Sequence, residues 1–121
     1  MTCRGIRGAI TAENNTAEDI HTASVTLLNH MIKANKIEED DIVSILFSVT
    51  EDLNATFPAR AARDMGLTDT PLLCFHEMKV PDGLEKCIRI LMHVNSNKSI
   101  KDIEHCYLEG AAKLRPDISK A

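Results

Sequence analysis

The stretch TAEDIHTASVTLLNHMIKANK, Thr16 to Lys36, decides the architecture of this chain. Its apolar residues fall at Ile20, Ala23, Leu27, Leu28, Met31 and Ile32, the spacing of one stripe along an α-helix. Thr16 has the short hydroxyl side chain that accepts a bond from a free amide of the first turn. Glu18 and Asp19 put negative charge at the positive end of the helix dipole. Lys33 and Lys36 suit the opposite end. The spacing predicts a helix from about Ala17 to Asn35, the dominant helix of the chain.

On either side of this helix the apolar period shortens to two. Residues 3–11, CRGIRGAIT, read as a strand. After a short acidic turn at Glu38 to Asp41, the segment Ile42 to Thr50 alternates. Val43, Ile45, Phe47 and Val49 share its apolar face; Ser44, Leu46, Ser48 and Thr50 share the other. Within Leu53 to Gly66, Pro58 suits the first position of a short helix and Gly66 its end. Leu72 to His76 is a short strand behind Pro71, and Lys79 to Gly83 carries turn chemistry at Pro81, Asp82 and Gly83. Cys87 to Val94 is the next strand, with Ile88, Ile90, Met92 and Val94 on one face and Cys87, Arg89, Leu91 and His93 on the other. Asn95 to Ser99 reads as a polar loop and Ile100 to Cys106 as a short helix. Tyr107 to Leu114 fits strand or helix equally. Arg115-Pro116-Asp117 ends regular structure and the tail beyond it is expected to be mobile. The expected fold class is α+β: a mixed β-sheet packed on one long amphipathic helix, in one domain spanning residues 1–121.

Composition narrows the function. A chain of 121 residues, 44% hydrophobic and 26% charged, suits one compact domain with its own core. With no Trp, one Tyr and three Phe it has little to stack on bases, and a net charge of −4 offers no general surface for nucleic acid or an anionic membrane. No apolar run is long enough to span a bilayer. The cysteines at 3, 74, 87 and 106 show no C-x-x-C spacing, and no signal-peptide pattern opens the chain, so reduced thiols in a cytoplasmic protein are expected. The five histidines show no metal-ligand spacing. There is no Gly-rich phosphate loop, no G-x-S-x-G and no paired-carboxylate signature, and no cofactor is expected.

Two arginines interrupt apolar strands: Arg7 and Arg89. A guanidinium stays charged, so one held on a strand lies with its stem along the sheet, pairs with a carboxylate, or meets an anionic ligand. Gly5 and Gly8 flank Arg7 and allow a backbone or ligand to come close. Glu77, at the end of a short strand, is a solvated turn residue, a partner for Arg89, or an acceptor for a ligand hydroxyl. Cys74 reads first as a small buried hydrophobe. Two strand-held arginines with one carboxylate suit a small dicarboxylate, and the sequence shows no obvious general base paired with an obvious nucleophile.

In order and spacing, four segments resemble the monofunctional chorismate mutases of the AroH type. They are Arg4 to Ala9 (RGIRGA), Phe57-Pro58-Ala59 with Ala62-Arg63, Pro71 to Cys74 with Glu77-Met78 leading to Cys87-Ile88-Arg89, and Tyr107-Leu108-Glu109 with Leu114-Arg115-Pro116-Asp117. The set covers nearly the whole chain. The resemblance implies a homotrimer, a pseudo-α/β-barrel whose active sites lie in clefts between subunits. It implies an isomerase of aromatic amino acid biosynthesis that converts chorismate to prephenate by a Claisen rearrangement, with no proton transfer and no covalent intermediate.

The resemblance also implies roles. Arg89 stands against the ether oxygen. Arg7 pairs with the side-chain carboxylate, helped by Tyr107. Glu77 accepts from the ring hydroxyl, with Cys74, Leu72 and Leu73 beside it. Phe57 and Leu114 form apolar walls, Ala59 counts among the substrate-binding residues, Arg60 and Arg63 draw in the dianion, and Arg115 belongs to a tail lid. Two positions depart from the family pattern: Arg60 replaces a frequent Lys, and Asp82 replaces a small turn residue. A RidA-type enamine/imine deaminase and a non-catalytic dicarboxylate-binding trimer are the competing readings.

Overall fold

The computed structural model describes residues 1–114 and residue 116. Among the described residues five strands form one sheet: β1 (Thr2–Thr11), β2 (Ile42–Val49), β3 (Leu72–His76), β4 (Cys87–Ser96) and β5 (Cys106–Tyr107). Helices α1 (Ala17–Asn35) and α2 (Ala59–Asp64) join them, with short 3-10 turns at Glu39–Asp41, Ile100–Asp102 and Glu109–Leu114. The sheet order is β3-β2-β4-β1-β5. β4 is antiparallel to both β1 and β2, while β3 runs parallel to β2 and β5 parallel to β1.

α1 forms over the expected residues for the expected reasons. The Thr16 hydroxyl accepts from the Asp19 amide at 3.1 Å. At the other end Lys36 turns left-handed with φ 53°, and its amide bonds back to carbonyls of the last turn. The apolar stripe Ile20, Ala23, Leu27, Leu28 and Met31 is buried against Ile6, Ile10, Ile45, Phe47, Ile88, Ile90, Met92 and Val94. Gly8 permits this approach: a Cβ there would sit 2.5 Å from Met31 Sδ and 3.1 Å from a Leu27 methyl. Two buried polar side chains in α1 are satisfied. The Ser24 hydroxyl donates to the Ile20 carbonyl at 2.7 Å. The Asn35 amide donates to the Met31 and Glu104 carbonyls and accepts from the Glu104 amide, which ties the end of α1 to the entry of β5.

Three expectations are corrected. Val43 does not share the core face with Ile45: the register slips between Ile42 and Ser44, so a bulge puts Ile42 inside and Val43 out. Ile100 to Cys106 is not a helix, since only Ile100–Asp102 makes a 3-10 turn and Cys106 enters β5. The polar loop expected from Asn95 starts later, because β4 continues to Ser96 where Thr2 pairs with it. The ambiguous segment divides, with Tyr107 in β5 and Glu109–Leu114 in a 3-10 turn. The expected mobile tail lies outside the described residues.

One face of the sheet packs on α1. The other carries Leu46, Leu73, Phe75, Leu91, Arg7 and Arg89 by strand alternation, and Leu73 and Phe75 are 54% and 46% exposed. At the β1–β5 side this second face is partly covered, where Ala9, Cys87, Tyr107 and Ala111 form a small buried cluster with Leu84 and Leu114 against it.

Candidate active site

The register lines up one transverse row across the sheet. Phe75 pairs with Ser48, Ser48 with Arg89, Arg89 with Ala9, and Ala9 with Tyr107. All five lie on the face away from α1. Arg7 pairs with Leu91, so it is the diagonal neighbour of Arg89 on the adjacent antiparallel strand. Such neighbours on one face stand about 7 Å apart, close enough for both guanidinium groups to reach one small ligand.

The two cations are held differently. Arg89 Nε lies 2.8 Å from Glu77 Oε2. Its N–H does not point along that line, so the buried donor closes an ion pair without completing a hydrogen bond. Glu77 is fixed from three sides: its backbone amide donates to the Val49 carbonyl at 2.7 Å, the Met78 amide donates to Oε1 at 3.0 Å, and the Ser48 hydroxyl donates weakly to Oε2 at 3.4 Å. Arg7 lies over the Tyr107 ring, its guanidinium carbon 5.9 Å from the centroid. Among the described residues no carboxylate pairs with Arg7. A hollow of about 270 Å³ is lined by Arg7, Arg89, Ser48, Leu91, Phe75 and Tyr107.

The buried Cys87 thiol lies next to this group. Burial pushes its pKa up to about 11, the Arg89 charge pulls against this, and the charges of Glu77 and Asp52 add to the rise. It is a protonated packing group at neutral pH.

The remaining expected site residues gather elsewhere. Phe57, Arg60, Arg63 and Cys74 line a larger hollow of about 540 Å³ between α2 and β3, with Phe75 at its edge. Phe57 is 69% exposed although it is a large aromatic. Among the described residues neither Arg60 nor Arg63 forms an ion pair. Burial raises the pKa of the Cys74 thiol, while a hydrogen bond with the Ala59 backbone and the Arg63 charge pull it down. Ala59 itself is buried in the core, Leu72 is half-buried against it, and Leu73 projects from the open sheet face. Leu114 packs beside Tyr107, and Arg115 lies outside the described residues.

The described residues thus present two separate groups: the arginine pair with Glu77 and Tyr107, and the Phe57–Arg60–Arg63–Cys74 group. Ser48 belongs to the first and was not among the expected residues. Its signal was its place on the polar face of an alternating strand, opposite Phe47 and Val49.

Comparison with known proteins follows the same lines. A family model described as chorismate mutase type I matches residues 3–118. Two curated relatives are called chorismate mutase AroH. The one from Thermus thermophilus is 44% identical over 119 residues, 98% of each chain. The one from Bacillus subtilis (strain 168) is 44% identical over 120 residues, 98% of this chain and 94% of the relative. A solved structure, "Chorismate mutase from Clostridium thermocellum Cth-682", superposes with a TM-score of 0.90 at 55% identity, covering 91% of this chain and 98% of that one.

Proposed function

This chain belongs to the chorismate mutase type I family, and we infer that it is an isomerase that rearranges chorismate to prephenate on the route to phenylalanine and tyrosine. The observation that carries the mechanism is the diagonal pair Arg7 and Arg89 on the open sheet face, Arg7 without a carboxylate partner among the described residues and Arg89 held against Glu77.

The reaction breaks the ether C–O bond and forms a C–C bond between the two ends of the same molecule. No proton moves, so the absence of an activated nucleophile in the Arg7–Arg89 group is no obstacle. Two tasks remain for the protein. The first is to hold the enolpyruvyl arm folded over the ring, which removes rotational freedom before the bond changes. Arg7 and Tyr107 serve this by holding the side-chain carboxylate, and Glu77 by accepting from the ring hydroxyl. The second is to meet the negative charge that gathers on the ether oxygen as C–O cleavage runs ahead. Arg89, with its Nε side held against Glu77, supplies a fixed cation there.

We propose further that residues 1–121 act as one unit and that three copies assemble with each active site between neighbours. Two features support this. The open sheet face carries Leu73 and Phe75 with Leu46 and Leu91, an apolar surface suited to a copy of itself. The Phe57–Arg60–Arg63–Cys74 group sits apart from the Arg7–Arg89 group and would complete a partner's site with apolar wall and added positive charge. Leu72 and Ala59 shape the backbone of that second group. No helix among the described residues is long and apolar enough to cross a membrane. A cytoplasmic location, where the free cysteines stay reduced, fits this reading.

The test is the loss of chorismate absorbance on adding purified protein, corrected for the uncatalysed rate. Prephenate formation that disappears in Arg89→Ala supports the reading. No loss above background from a folded, assembled protein refutes it.

A further inference from the structure

We propose that Asp52 is a positioning residue for Arg89, acting by holding Lys86 in a left-handed conformation at the entrance to β4. The inference rests on the role given above to Arg89.

Lys86 directly precedes β4 and has φ 49°. A residue with a Cβ pays for that conformation sterically, and glycine does not. The chain adopts it here because every backbone polar group of residues 86 and 87 is engaged. The Lys86 amide donates to both Asp52 carboxylate oxygens, at 3.1 and 2.9 Å. The Lys86 carbonyl accepts from the Ala12 amide at 2.8 Å. The Cys87 amide donates to the Thr50 hydroxyl oxygen at 3.0 Å, and the Cys87 carbonyl accepts from the Thr50 amide at 3.1 Å. The Thr50 hydroxyl in turn donates to Asp52. Among the described residues the Lys86 side chain makes no ion pair, so the lysine identity contributes nothing visible to this arrangement.

Arg89 is the third residue after Lys86. A strand entered at the wrong angle carries its side chains off line, and a one-residue slip puts them on the opposite face. Asp52 and Arg89 also border the same hollow of about 510 Å³. Asp52 is therefore more than a turn residue: it selects the backbone conformation from which the Arg89 cation is aimed.

The experiment compares Asp52→Ala, Lys86→Gly and the double variant with the wild type and Arg89→Ala, measuring chorismate turnover, assembly and thermal unfolding. Asp52→Ala is expected to lower kcat by about tenfold to a hundredfold, with KM changed by less than about threefold, since substrate capture belongs to other groups. Lys86→Gly alone should leave turnover within about twofold of wild type, because glycine occupies the left-handed region freely. The double variant should recover most of the lost kcat. Should Asp52→Ala fail to fold, a folded and active double variant supports the same conclusion. Asp52→Ala with unchanged kcat overturns the proposal. So does a folded double variant no better than Asp52→Ala, which would assign Asp52 a role through its charge. Normal turnover in Arg89→Ala would instead remove the catalytic reading itself, and this inference with it.

Discussion

Arg89 is the residue on which the chemistry turns, and its surroundings say which substitutions hurt. Arg89→Ala removes a fixed cation whose orienting partner Glu77 stays behind. One preorganised donor is worth about 2.7–4 kcal/mol, so kcat should fall by at least a hundredfold with the fold intact; steady-state kinetics and circular dichroism check this. Arg89→Lys should fail nearly as badly, because a point charge on a flexible stem cannot keep one side toward Glu77 and another toward the ether oxygen. Glu77→Ala should lower kcat/KM through lost orientation of Arg89, and an unchanged value would contradict that role. Cys87 gives a pH prediction. Its thiol is raised from an ordinary 9.0 to about 11, so the folded state holds a proton that the unfolded state releases first. That contribution to stability is full below pH 9 and is lost as pH rises toward 11. Urea unfolding of the wild type should weaken over that window more than that of Cys87→Ala.

At the scale of elements, α1 was legible to the residue. Thr16, the acidic first turn and the apolar stripe all act within the helix itself, where local rules hold. β3 was equally legible between Pro71 and the residues that follow His76. The bulge at Val43 was not, because a bulge answers to the partner strand β4 and alternation alone runs straight through it. β5 was missed for a similar reason. Two residues cannot show a period, and Cys106 and Tyr107 are extended because β1 and Asn35 hold that segment in place. Asn35 therefore carries a prediction. It is 2% exposed, and Asn35→Ala leaves the Glu104 amide and carbonyl without its side chain. The loss should be about 1–3 kcal/mol in denaturant unfolding. Gly8→Ala should cost a similar amount, about 1–3 kcal/mol, by forcing Met31 and Leu27 away from β1. Wild-type stability in either variant would show that α1 is held less tightly than the packing indicates.

At the scale of the whole molecule, the arginines were visible in the sequence as charges out of place, but their neighbourhood was not. The diagonal placing of Arg7 and Arg89 depends on a pairing between strands about eighty residues apart, which no local pattern encodes. The ordered resemblance to a family brought the same residues together by a different route. Within one chain Arg63 and Arg89 fall in separate groups, and the proposed trimer would join them across a subunit boundary. This can be tested directly by mixing variants. Co-expressed Arg63→Ala and Arg89→Ala chains, carrying different tags, are purified so that every trimer contains both, and chorismate turnover is measured. Each variant alone should be nearly inactive. Around a cyclic trimer of mixed composition one site in three joins an intact Arg89 to an intact Arg63, so the mixed trimers should show about one third of wild-type turnover. Mixed trimers as inactive as either parent would contradict an active site shared between neighbours.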